Sequence, residues 1–153
     1  MKRIFTLGLL VTTAALFLIG CEKCELPDNS QAGEILDHVV LKELQSSITD
    51  FDEILIDDSL TNSLYESVVV SFDNGMTYDE IDFTNYSLLG INTSTTCSAT
   101  FNRTLDINLD DSTAVYSLRI NECEDCDFTV STQNWVLTPK IPDYVTTTFV
   151  VTR

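Results

Sequence analysis

An alternation of apolar and polar residues along FNRTLDINLDDSTAVYSLRI, Phe101–Ile120, constrains the fold more than any other feature of this sequence. A period of two is typical of β-strands with one buried face, and the polar stretch Asp110–Thr113 between the two halves is typical of a turn. We therefore predict an antiparallel hairpin with a four-residue loop and one apolar face shared by both strands. The predicted opposing pairs are Ile107 with Tyr116, Leu105 with Leu118 and Arg103 with Ile120.

Other segments are rich in Val, Thr and aromatic residues and are separated by Asn, Asp, Gly or Pro, as strands are. Helical spacing is found in Asp58–Glu66, where Asp58 or Ser59 can cap the first turn. Glu34–Leu44 is compatible either with a helix or with a loop followed by a strand. The expected fold class is all-β, mainly antiparallel, as a small β-sandwich or open barrel with one short helix. The further predicted strands are Ser67–Phe72, Asn85–Ile91, Asp127–Thr132, Asn134–Pro139 and Tyr144–Thr152.

Size and charge limit the number of domains and the class of partner. The chain has 153 residues, of which 44% are hydrophobic, and this suits one globular domain, which we place at residues 34–153. Its 24 Asp and Glu outnumber 8 Lys and Arg, for a formal net charge of -16. A nucleic-acid-binding protein needs the opposite sign, because neutralising phosphates supplies most of its affinity. Nucleic acid is therefore excluded as the expected partner.

Residues 1–20 have the layout of a secretory signal peptide, since two basic residues precede the uncharged run Ile4–Ile19. The run ends in LIGC, Leu18–Cys21, which resembles the lipobox of bacterial lipoproteins. This resemblance implies cleavage before Cys21, lipidation of the Cys21 thiol and attachment to the lipid bilayer of the bacterial cell envelope, for which we expect the outer membrane. Residues 21–33 are polar and are predicted to be the tether between the lipid and the domain.

Export makes the remaining cysteines candidates for disulfides. Extending the predicted hairpin register outward puts Cys97 opposite Cys126, so we predict a structural bridge between them. Cys24 and Cys123 are left either to join the tether to the domain or to remain free. The alternatives are a redox function for the CxxC formed by Cys123 and Cys126, and a zinc site made from all four thiols. Acidic neighbours disfavour a reactive thiolate, and an oxidising envelope favours disulfides over metal.

The sequence offers little for catalysis. His38 is the only histidine and stands beside apolar residues, and the chain with its 5 glycines has no glycine-rich phosphate loop and no metalloprotease or serine-hydrolase motif. The segment Asp73–Asp82 has carboxylates that can bind calcium, but it lacks the alternate spacing of an EF-hand loop. We therefore expect a protein that is not an enzyme and that has no metal and no cofactor.

A second resemblance covers about half of the chain. The segment YDEIDFTNYSLLGINTSTTC, Tyr78–Cys97, followed by the hairpin and by NWVLTPKIPDYVTTTFVV, is similar to small lipoproteins of Bacteroidota that have no assigned function. The order of these motifs is also similar to the C-terminal domain of PrcB, a protease-associated lipoprotein that binds and stabilises a partner protease. In this chain INTSTTC replaces the glycine-rich turn of that domain, and no residue roles are carried over.

These observations predict an envelope lipoprotein whose β-domain is a non-catalytic module that binds a protein or glycan partner, such as a protease. The alternative is a metal-dependent or CxxC redox module in the envelope. Trp135 and Tyr144, on either side of PKIP, are the candidate binding surface, because exposed aromatic side chains anchor interfaces. The competing interpretation of Trp135 is a place in the hydrophobic core.

Overall fold

The computed structural model describes residues 25–45, 52–65, 67–96, 98–123 and 128–153. The predicted signal peptide, residues 1–20, and Cys21, Cys24, Cys97 and Cys126 lie outside the described residues. The elements are the strands β1 (Ser30–Gly33), β2 (Val40–Glu43) and β3 (Glu53–Ile56), the helix α1 (Ser59–Tyr65), and the strands β4 (Val68–Ser71), β5 (Asp79–Glu80), β6 (Tyr86–Thr96), β7 (Ala99–Asn108), β8 (Thr113–Glu122), β9 (Thr129–Pro139) and β10 (Thr146–Thr152).

The strands form three sheets, with the orders β1-β7-β8-β10, β3-β6-β9 and β2-β4-β5. Two hydrophobic clusters relate these sheets to one another. One joins the apolar faces of β7 and β8 to β6 and β9, and the other joins β6 and β9 to β4. The β3-β6-β9 sheet is therefore the middle layer, and the predicted all-β, sandwich-like fold class is confirmed.

The middle layer is buried on both of its faces. Alternate residues of a strand point to opposite sides, so Leu89 and Val136 pack against the first sheet, whereas Leu88 and Leu137 pack against the third. This explains why SLLGI in β6 is a continuous apolar run and does not alternate. β9 pairs with β6 from Thr129 to Pro139 and so unites two segments that were predicted as separate strands.

The β7–β8 hairpin forms as predicted, but its register differs by two residues. Leu105 pairs with Tyr116 and Ile107 with Ala114, so the opposing pairs derived from the sequence are wrong. A shift of two residues keeps the same side chains on the buried face, because the period of a strand is also two. The turn explains the shift, since the side-chain Oδ1 of Asn108 accepts the backbone N–H groups of Asp110 and Asp111 at 3.0 and 3.2 Å.

Both outer strands of the first sheet run parallel to their neighbours, β1 to β7 and β10 to β8. The Val, Thr and aromatic residues of Tyr144–Thr152 predicted β10, but β1 lies in the segment that was predicted to be tether. Its four residues SQAG are exposed and carry almost no apolar pattern. This segment is therefore a strand because it pairs with β7, and the last four residues of the predicted tether belong to the sheet.

The single helix of the described residues is where the sequence predicted it. The Asp58 carboxylate caps it by accepting hydrogen bonds from Thr61 Oγ1 at 2.7 Å and from the Thr61 backbone N–H at 2.8 Å, and these bonds hold the pKa of Asp58 below its ordinary value. Of the two interpretations of Glu34–Leu44, the loop followed by a strand is confirmed as β2. The short strands β3 and β5 were not predicted.

Candidate binding site

Among the cysteines, only Cys123 lies within the described residues. It is 4% exposed and disulfide-bonded, and its partner is outside the described part of the chain. The Cys123 backbone N–H donates to the Ser98 carbonyl at 3.0 Å, which continues the hairpin ladder past the end of β7. Because the register differs from the predicted one, it no longer supports a position of Cys97 directly opposite Cys126. That pairing stays a prediction.

The two aromatic residues of the candidate surface have different environments. Trp135 is 9% exposed and belongs to the cluster between the middle and third sheets, and its Nε1–H donates to a Glu43 carboxylate oxygen at 3.0 Å. Tyr144 is 63% exposed and precedes β10. Of the two, Tyr144 is the side chain that a protein partner can reach without rearrangement of the core.

Buried anchors hold the loop that presents Tyr144. Ile141 and Val145 are both buried, and the Ile141 backbone N–H donates to Ser87 Oγ at 3.0 Å. The Ser87 hydroxyl in turn donates to the Asp57 carboxylate, and Lys140 Nζ forms an ion pair with Asp57 Oδ1 at 3.1 Å. Tyr144 therefore projects from a fixed backbone.

The β10 edge, which we define as the unpaired side of Thr146–Thr152 together with Tyr144, is a long open strand edge of the described residues. In this part of the chain β10 is paired only with β8, and its seven residues TTTFVVT have no charge and no proline. Phe149 points inward and meets the Tyr116 ring edge-on at 6.0 Å, whereas Val150 is 40% exposed. Natural proteins usually protect such an edge with Lys, Pro or a bulge.

Each of the other outer strands is short, charged or covered. β1 and β3 have four residues each, and β5 consists only of Asp79 and Glu80. The long strand β9 is covered near its end, since the Leu36 backbone N–H donates to the Leu137 carbonyl at 2.9 Å. Besides the exposed first part of β9, the β10 edge is thus the place in the described fold where an added strand meets the least obstruction.

Arg103 lies on the inward face of β7, between Phe101 and Leu105, and is half-buried. Its Nη2 donates to Asn134 Oδ1 at 2.6 Å, and its guanidinium lies 5.4 Å from the centroid of the Phe101 ring. Burial lowers the pKa of Arg103, while the Tyr116 hydroxyl opposes this shift. The Tyr116 hydroxyl itself donates to the Asn134 carbonyl at 3.0 Å, and burial raises its pKa.

The charge of Arg103 has no acidic partner in the described part of the chain. The ion pairs found there join Lys140 to Asp57 and Arg153 to Glu122. The Arg103 Nε atom is buried and has no hydrogen-bond acceptor. Buried charges in proteins are normally paired, so this arrangement is unusual for a chain with 24 acidic residues.

A cavity of about 280 Å³ adjoins this guanidinium, and we call it the Arg103 cavity. Gln31, Gln133 and Trp135 contribute polar side chains to its lining. The rest of the wall is apolar and consists of Ile35, Leu36, Val39, Val40, Leu41, Val136 and Leu137. A larger groove of about 460 Å³ runs beside α1, with Leu60 and Leu44 exposed along it.

The acidic loops form no metal cluster in the described residues, where no three His, Cys, Asp or Glu side chains are grouped to hold an ion. The Asp73 carboxylate instead accepts hydrogen bonds from Ser71 Oγ at 2.6 Å and from Thr77 Oγ1 at 2.7 Å. These bonds lower the pKa of Asp73 to about 2. His38 is exposed in a turn with φ of 60°. No helix in the described ranges is long and apolar enough to cross a bilayer.

Sequence reasoning missed the two most distinctive sites. Arg103 occupies the apolar parity of β7, and a cation on the buried side of a predicted strand was a usable signal for a functional residue. The openness of β10 had no such signal, because the order of strands in a sheet depends on pairing between distant segments.

Comparisons with known proteins add no family or relative to this description. No family model matches the chain, and no curated protein or solved structure does either.

Proposed function

We propose that this protein is a lipoprotein of the bacterial cell envelope, anchored by an acylated Cys21, and that its β-domain is a non-catalytic module that binds a partner protein. The LIGC motif supports the anchor. The observation that carries the binding function is the β10 edge, a long uncharged outer strand of the described sheets.

Strand addition is the mode of binding that this edge favours. A peptide in extended conformation gains main-chain hydrogen bonds from an open strand, and side chains beside the strand supply specificity. Tyr144 and Val150 are exposed next to the edge and provide apolar contacts. The partner contributes an extended segment with few acidic residues, because the chain has a net charge of -16 and repels acidic peptides.

Metabolic labelling with an alkyne fatty acid tests the anchor. We expect the wild-type protein to incorporate the label and Cys21→Ser to lose it, with the Ser variant recovered in the soluble fraction. Cys24→Ser is the matched control, because it removes a neighbouring thiol that does not follow a lipobox. Equal labelling of wild type and Cys21→Ser would show that Cys21 is not the acylated residue.

Site-specific photo-crosslinking in cells tests the binding surface. A photoreactive residue at Val150 is expected to capture one partner in stoichiometric amount, whereas the same residue at exposed Thr129, at the start of β9, captures none. Val150→Lys should abolish co-purification of that partner, because a charge on an outer strand opposes strand addition. Thr129→Lys is the control of equal charge.

The crosslinking result separates this function from the alternative. Capture through Val150 that Val150→Lys does not weaken would place the partner elsewhere on the surface. No captured protein, together with a metal ion retained by the purified protein or thiols at Cys123 and Cys126 that cycle between oxidised and reduced forms, would favour the metal-dependent or redox module.

A further inference from the structure

We propose that the Arg103 cavity binds a small carboxylate with an apolar body, held by the Arg103 guanidinium. This site is separate from the β10 edge, and it is independent of the proposed function.

Arg103 lacks a counter-charge among the described residues. The protein has 24 acidic residues against 8 basic ones, and yet none of the described carboxylates lies within ion-pair distance of Arg103. Moving a guanidinium out of water is costly, and Asn134 Oδ1 and the Phe101 ring recover only part of the lost hydration. A bound anion supplies the missing charge.

The guanidinium of Arg103 has donors that the protein does not use. Nη2 is held by Asn134, and Nε is buried without an acceptor but is enclosed by the protein, so the outer Nη hydrogens are the donors that can reach a ligand in the cavity. The guanidinium is therefore oriented by the protein and has donor capacity to spare. Guanidinium donors match the two oxygens of a carboxylate in one plane, which makes Arg the usual side chain for carboxylate recognition.

The size and lining of the cavity suit a small ligand with one polar end. A volume of about 280 Å³ is at the small end for ligand sites, which suits a ligand of a few heavy atoms. Gln31 is the pairing neighbour of Arg103 across β1 and β7, so both side chains lie on the same side of the sheet. The amide of Gln31 is a second polar contact, and the aliphatic wall provides the apolar environment for the body of the ligand.

Glu43 determines which way the ligand points. Its carboxylate accepts from Gln133 Nε2 at 2.8 Å and from Trp135 Nε1 at 3.0 Å, and both of these donors line the cavity. This side of the cavity therefore repels an anion. The ligand carboxylate lies toward Arg103, and the apolar body lies toward Trp135.

Trp135 makes the proposal measurable, because it is the only tryptophan of the chain. We would titrate the full chain in nanodiscs of zwitterionic lipid with hexanoate and with uncharged hexanamide, and follow tryptophan fluorescence. A saturable change is expected for hexanoate, and affinity at least tenfold lower for hexanamide. Equal affinities, or no saturable change with hexanoate, would overturn the proposal without any need for a variant.

Two variants test whether Arg103 is the cation that binds the carboxylate. Arg103→Met should weaken hexanoate binding at least tenfold, and its thermal melt checks that it folds. Arg119→Met, which removes an exposed cation on β8, should bind hexanoate as wild type does. Unchanged binding in a folded Arg103→Met would exclude Arg103 as the carboxylate-binding residue.

The same assay distinguishes two sources of the carboxylate. An N-acetylated dipeptide with C-terminal Leu, compared with its amide, tests the C-terminus of a peptide, while hexanoate stands for a free organic acid. Tighter binding of the dipeptide acid than of hexanoate would identify a peptide C-terminus as the better ligand, and the reverse order would identify a free acid.

Discussion

The indole of Trp135 lies directly against the backbone of Gly90, so closely that a Cβ added to Gly90 would be 2.1 Å from Trp135 Cζ3. The two residues are paired neighbours on β6 and β9. Glu43 holds the indole from its other end through the Nε1–H. Glycine is therefore required at position 90 for steric reasons, because the ring fills the place of a side chain.

Gly90→Ala is expected to destabilise the protein by about 1–3 kcal/mol, since the added methyl overpacks a core that the Glu43 hydrogen bond keeps from shifting. Chemical denaturation followed by tryptophan fluorescence measures the effect. Thr129→Ala, at an exposed position of β9, should change stability by less than about 0.5 kcal/mol. In a protein that already carries Trp135→Leu, adding Gly90→Ala should change the free energy of unfolding very little. If the effects of the two substitutions on the free energy of unfolding simply added, the proposed clash would be contradicted.

The Asp73 carboxylate makes folding stability depend on acid pH. Hydrogen bonds from Ser71 and Thr77 lower its pKa in the folded protein to about 2, below the ordinary value of 3.8. The stabilisation is therefore complete above the ordinary pKa and is lost as the pH falls toward 2.

Asp73→Asn should melt at a lower temperature than wild type near neutral pH, and the difference should narrow between pH 4 and pH 2. Asp106→Asn, at an exposed position of β7, controls for the loss of one negative charge. A difference between wild type and Asp73→Asn that stayed constant down to pH 2 would show that the carboxylate does not stabilise the turn.

The disulfide of Cys123 is expected to join the tether to the hairpin. The Asn29 side-chain Oδ1 accepts the Phe101 backbone N–H at 2.7 Å, so the chain reaches β7 near the end of the hairpin where Cys123 lies. Together with the predicted Cys97–Cys126 bridge, this leaves Cys24 as the partner of Cys123.

Peptide mapping without reduction should then recover Cys24 linked to Cys123 and Cys97 linked to Cys126. Cys24→Ala and Cys123→Ala should each cost about 2–5 kcal/mol, the usual range for a native disulfide. A Cys97–Cys123 or Cys123–Cys126 peptide would refute both assignments.

Chelation is expected to leave the melting temperature unchanged. The Asp82 carboxylate accepts hydrogen bonds from the Thr84 backbone N–H at 3.0 Å and from Asn85 Nδ2 at 2.7 Å. The Asp73 carboxylate likewise accepts hydrogen bonds from Ser71 and Thr77. An ion present at a hundred times its Kd would contribute ~2.7 kcal/mol, which a melt with and without EDTA detects easily. A clear drop with EDTA that calcium reverses would reveal a metal site.

Local pattern was enough to predict the elements whose residues alternate or carry their own caps. The β7–β8 hairpin, α1 with its Asp58 cap, and β10 all follow from side-chain period and turn chemistry. The hairpin register could not be predicted in this way, because several turn positions are compatible with the same alternation. The hydrogen bonds to Asn108 determine which of these turns forms.

Pairing between distant segments was not predictable from local sequence. The strand β1 is a polar stretch that becomes a strand only beside β7, and β3 and β5 are equally short. The same limit applies to the sites. Trp135 was predicted as either surface or core, and the choice of core depends on Gly90, which is 45 positions away in the sequence but its direct neighbour across the sheet.

The parallel pairing of β1 with β7 has a consequence for the order of assembly. Ser30 is paired with Asn102, so β1, the first strand of the described residues, has no place to dock until β7 has formed. Pairing between segments this far apart in the sequence is slow, whereas a local hairpin such as β7–β8 closes in microseconds. The earliest described strand thus depends on a much later one for its place, and because β1 is a four-residue exposed outer strand, its amides should be among the first to exchange with solvent in the folded protein.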